Sequence, residues 1–85
     1  MKMIRVRLTP KMIEVASLDD AIIRDTFEVE LVGLDVIGRR DRLVNLREYF
    51  HDRSTPGYAG QPQSWSRWAR GAVTRIQAAL ERRTT

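Results

Sequence analysis

The spacing of apolar residues changes once along this chain. In the clearest stretches before Gly38 they recur at every second position, and from Asp41 onward at every third or fourth. A period of two places side chains on one face of a strand, and spacings of three and four place them on one face of a helix. Each such element must bury its apolar face against another. The switch therefore predicts an α+β fold, with a small, mostly antiparallel sheet packed against two C-terminal amphipathic helices. At 85 residues the chain fits a single domain, 1–85, with a strand-rich part over 1–38 and a helical part over 41–83.

The first strand is written in "MIRVRL". Ile4, Val6 and Leu8 point one way and Arg5 and Arg7 the other. Pro10 then interrupts the pattern, because it has no ladder donor. "MIEVA" at 12–16 has two readings: the β-branched Ile13 and Val15 favour a second strand, while Thr9 and Pro10 would also serve as the N-cap and first residue of a helix. The strand is the preferred reading. Ser17 with Asp20 forms a capping box for a short helix over 18–25. "TFEVELVG" alternates again, with Phe27, Val29 and Leu31 opposite Glu28 and Glu30, and Gly33 ends or bends it. "LDVIG" reads as a further short strand, and direct pairing with its predecessor would require a tight turn at Gly33.

Leu43, Leu46 and Phe50, flanked by Val44 and Tyr49, predict a helix over 42–53 capped by Asp41. "STPGYAGQPQ" is a ten-residue loop. A helix over 65–82 with Ser64 as cap follows. At about 100° per residue, Trp65, Trp68, Ala69, Ala72, Val73, Ile76, Ala79 and Leu80 share one arc. Trp65 points toward the centre of that arc and Trp68 lies at its edge. Gly71 falls on the outer side, where it weakens the helix unless its missing side chain admits a close neighbour.

Charge is divided unevenly. Residues 1–33 carry five basic and six acidic side chains, whereas residues 34–85 carry ten and five. The basic surplus gathers in two places. "GRRDR" sets Arg39, Arg40 and Arg42 in a turn before a helix, and the last helix carries Arg67, Arg70, Arg75 and Arg82 outside its apolar arc, with Trp68 beside them. These eight residues are the candidate partner-binding set. Each has a plainer reading. Arginines on an outer helix face are most often solvated, and tryptophans spaced with aliphatics most often belong to a core. Only if the two clusters converge in space do they make one basic patch.

Signals for catalysis are weak. His51 is the single histidine, and Glu48 and Asp52 near it make a fragment rather than a metal site. Ser54 and Thr55 follow it without any sign of an oxyanion hole. Asp19–Asp20 suits a helix N-terminus, and Glu28–Glu30 suits a solvated strand face. "GRR" and "GYAG" lack the spacing of phosphate loops. The chain contains no cysteine, so thiolate metal sites and disulfides are excluded for it. No apolar run approaches the roughly 20 residues a bilayer span needs, and the N-terminal stretch lacks the apolar core of a signal peptide.

The expectation is thus a cytoplasmic, non-catalytic protein–protein interaction module without a cofactor. An inhibitor or accessory subunit that docks on a larger, acidic or nucleic-acid-handling partner fits this description, and mobile-element or phage origin would suit so short and motif-free a chain. Direct nucleic-acid binding through the arginine face is the alternative. Eleven acidic residues against fifteen basic ones and at most one presentable aromatic favour the protein partner. An exposed sheet edge would also allow pairing with a second copy.

Overall fold

The computed structural model describes residues 2–16 and 23–82. Strand β1 (Ile4–Arg7) is followed by helix α1 (Pro10–Ala16), a π-helical turn (Ile23–Phe27), and strands β2 (Glu30–Val32) and β3 (Asp35–Gly38). Helix α2 (Arg40–Arg53), a 3-10 turn (Tyr58–Gly60) and helix α3 (Trp65–Glu81) complete the described chain. The sheet is antiparallel in the order β1-β3-β2, and α3 packs on β1 and, more extensively, on α2. This is the expected α+β architecture.

The alternation in β1 sorts its side chains as anticipated. Val6 and Leu8 are buried, while Arg5 and Arg7 are exposed. In β3, Val36 faces the same core. The β2–β3 hairpin closes through a two-residue loop, since Val32 lies opposite Asp35. Gly33 adopts φ +63° there and Leu34 does not share a positive φ, the arrangement of a II′ loop. The other face of the sheet has no covering layer among the described residues. It carries Arg5, Arg7, Ile37, Glu30 and Val32, and Val32 is 54% exposed.

Residues 12–16 form a helix, not the preferred strand. Thr9 Oγ1 accepts the Met12 N–H at 3.2 Å and Pro10 occupies the first turn, so the local start signal outweighs the β-branched composition. The strand-rich part thus contains a helix. The expected helix over 18–25 lies largely outside the described residues; its last positions, 23–25, belong to the π-helical turn. The strand expected from Phe27 begins only at Glu30, because Glu28 takes φ 57° and breaks the extended path. Phe27 and Val29 are buried all the same.

Both long helices bury the predicted stripes: Leu43, Leu46 and Phe50 in α2, and Ala69, Ala72, Ile76, Ala79 and Leu80 in α3. Their caps differ from expectation. Arg39, with φ −74° and ψ 160°, is the N-cap of α2, and Asp41 lies inside the first turn, where its charge favours the helix dipole. Ser64 is already helical and makes no side-chain cap. Instead, the N–H groups of Trp65, Ser66 and Arg67 bond to the carbonyls three residues back, a tightened entry of 3-10 type. Trp65 and Trp68 are both half-buried against the core, although the arc placed Trp65 nearer its centre. Gly71 is not on a free outer face. A Cβ there would lie 2.9 Å from Met12 Cε, so the missing side chain admits α1.

Candidate functional site

The position of the basic residues follows from the register. Ile4 pairs with Gly38, the last residue of β3, and α2 starts two residues later. Lys2 and Met3 are therefore carried beside Arg39 and Arg40. Helix α3 packs along α2 with its C-terminal end at the same place: Arg40 Nη1 donates to the Leu80 carbonyl at 2.7 Å, satisfying one of the acceptors that a helix end leaves open. Three chain segments distant in sequence thus meet at one corner of the molecule.

A cleft of about 390 Å³ opens at this corner. Its floor is apolar, built from Ile4, Ala79 and Leu80 with Met3 at the side; its rim carries Lys2, Arg5, Arg40 and Arg82, and no carboxylate of the described residues lines it. A second, more open hollow shares Lys2 and Arg40 and adds Arg39, Asp41, Val44 and Asn45.

Arg39, Arg40 and Arg82, drawn from both predicted clusters, come together here. Arg42 does not. Its guanidinium pairs with Glu28 at 3.2 Å and reaches Asp41 at 3.9 Å. Arg75 is used internally as well, donating to the Arg7 carbonyl at 3.0 Å. Arg67 and Arg70 are exposed on the first half of α3 and form no ion pair with a described residue. Trp68 beside them is packed against the core. Lys2, Met3 and Arg5 were not anticipated as site residues. Their charges are visible in the sequence, but only the pairing of Ile4 with Gly38 takes them to the arginines.

Arg5 is held by Asp35, which is 5% exposed. Arg5 Nη1 lies 2.7 Å from Asp35 Oδ2, and Arg7 Nε donates to Asp35 Oδ1. The hydrogen bond from Arg7, helped by the charges of both arginines, holds the Asp35 carboxyl below its ordinary pKa despite its burial, and the same bond raises the pKa of Arg7.

His51 is exposed in the last turn of α2, and the Ser54 hydroxyl donates to its backbone carbonyl at 2.6 Å. Among the described residues, no three His, Cys, Asp or Glu side chains come together as a metal site. No helix among them is long and apolar enough to cross a membrane. Comparison with protein-family models, curated proteins and solved structures found no match to this chain.

Proposed function

We propose that this chain is a small, non-catalytic protein–protein interaction module that docks on a larger, acidic partner through the corner cleft. The observation that carries this reading is the pairing of an apolar floor with a rim of Lys2, Arg5, Arg40 and Arg82 and, among the described residues, no acid in the lining, Asp35 reaching Arg5 from outside it. Interface cores combine buried apolar surface with arginine anchors, and a rim of one charge steers an oppositely charged partner into place. A nucleic acid would instead be gripped by cations spread along an open face with stacking aromatics. Here Trp65 and Trp68 are packed against the core, and three of the candidate arginines, Arg40, Arg42 and Arg75, are bonded within the molecule. An inhibitor or accessory subunit acting in the cytoplasm fits this description.

The test is photo-crosslinking in the native host, with the reactive residue placed at Arg82 and, separately, at Arg67. The expected result is one dominant protein adduct from position 82 and little from position 67. The companion measurement is binding to random duplex and single-stranded DNA and RNA at low and physiological salt. Tight binding with a steep salt dependence, together with no protein adduct at position 82, would replace this reading with direct nucleic-acid recognition.

A further inference from the structure

We propose that the partner contributes an extended, acidic segment that adds to the sheet as a fourth strand along the free edge of β1. The inference rests on the protein-interaction reading and names the chemistry of what enters the cleft. Leu8 N–H donates to the Leu34 carbonyl at 2.8 Å. Hydrogen-bonded pairs in an antiparallel ladder alternate. The even-numbered residues of β1 therefore bond to β3, and the N–H and C=O of Arg5 and Arg7 point away from the sheet. The Arg7 carbonyl is met by Arg75, which closes one end of the edge. The backbone groups of Arg5 have no partner among the described residues.

The cleft lies along this same edge. Its lining includes the consecutive residues Met3, Ile4 and Arg5. Successive strand residues face opposite sides of the sheet, so a hollow that touches all three runs beside the strand rather than over either face. An added strand would place alternate side chains over Ile4, Ala79 and Leu80, which selects apolar residues. Its intervening side chains would lie next to Arg5 on the open sheet face, and Lys2 and Arg82 line the same cleft, a cationic surround that selects carboxylates. Charge also decides against a second copy as occupant. Pairing β1 with itself would set its exposed arginines against each other across the strands, an unfavourable like-charge arrangement.

The probe is an acetylated, amidated Glu-Val-Glu-Val-Glu peptide titrated into the isotopically labelled full chain at low salt. Amide shifts should gather on residues 2–6 and 79–82, and a lysine-for-glutamate version of the peptide should produce none. N-methylation of one alternate set of peptide nitrogens should weaken binding roughly tenfold, and methylation of the other set should not, because only one set faces β1. Lys2→Glu with Arg82→Glu should weaken binding by a similar factor, and Arg5→Pro should abolish it by removing the outward N–H. Should Arg5→Pro fail to fold, the methylated peptides still decide the matter. Equal affinity for all methylated forms, shifts centred on Arg67 and Arg70, no shifts at millimolar peptide, or a dimer formed through β1 would each overturn the inference. If the peptide fails while position 82 still crosslinks to one partner protein, strand addition is wrong and the interaction reading stands. If duplex DNA binds in place of both peptide and protein, both fall.

Discussion

A β-carbon on Gly38 would sit 2.3 Å from Val29 Cγ1 and 3.0 Å from Val29 Cβ. Gly38→Ala is expected to destabilise the fold by about 1–3 kcal/mol through overpacking, and an unchanged urea midpoint would refute that packing. Gly71→Ala meets only Met12 Cε, the far end of a flexible side chain, so the same substitution should be close to neutral there, helix propensity offsetting the displaced methyl. Asp35 gives a prediction in pH. Its folded pKa is depressed, first by the Arg7 hydrogen bond. Its contribution is therefore present above the unfolded value near 3.8 and is lost as pH falls through the lower folded value. Asp35→Asn should lower the urea midpoint at neutral pH, and the gap from the parent chain should narrow in acid. A gap that persisted below both values would mean that the ion pairs are not its source. The sequence marks Gly38 as a turn and Asp35 as one acid among eleven. Neither role is local, since each depends on which residue the fold sets opposite.

Helix α1 shows where pattern reading reaches its limit at the scale of an element. Seven residues (Pro10–Ala16) are too few to separate a period of two from one of 3.6 by composition, and Ile13 and Val15 pull the reading toward a strand. Burial follows the helix, with Met12, Val15 and Ala16 turned inward. The deciding signal is the start, Thr9 followed by Pro10. Thr9→Ala should cost about 1 kcal/mol of stability, whereas Thr9→Ser, which keeps the acceptor, should cost little. Equal losses for both substitutions would show that the hydroxyl does not cap. The longer α2 and α3 were legible because a stripe repeated over several turns cannot be mistaken for alternation. Their caps were not, because Asp41 and Ser64 are plausible caps by type while the chain enters each helix by another geometry.

At the scale of the molecule, the arginine count was legible and the convergence was not. Which of the eight candidates meet depends on the β1–β3 register and on the antiparallel packing of α2 and α3, neither of which is written in a local pattern. The same long-range ties should make folding cooperative. Sheet and helices contribute to one core cluster, from Val6 and Val36 through Leu46 and Phe50 to Ile76 and Leu80. Tyr49 spans it: its ring meets Phe27 edge-on at 5.0 Å, and its hydroxyl donates to the carbonyl of Ala16, the last residue of α1, at 2.6 Å. Ala16 is fully buried, so Tyr49→Phe would remove a hydrogen-bond donor from a buried acceptor, at a cost of about 1–3 kcal/mol. If the chain unfolds as one unit, that loss must appear identically in every probe. Tryptophan fluorescence, which reports on α3 through Trp65 and Trp68, and far-ultraviolet circular dichroism should give coincident urea transitions. Tyr49→Phe should shift both by the same amount, although Tyr49 lies outside α3. A dichroism transition that moves while the fluorescence transition stays in place would show that α3 unfolds independently of the α1–α2 contact, and the single cooperative core would have to be abandoned.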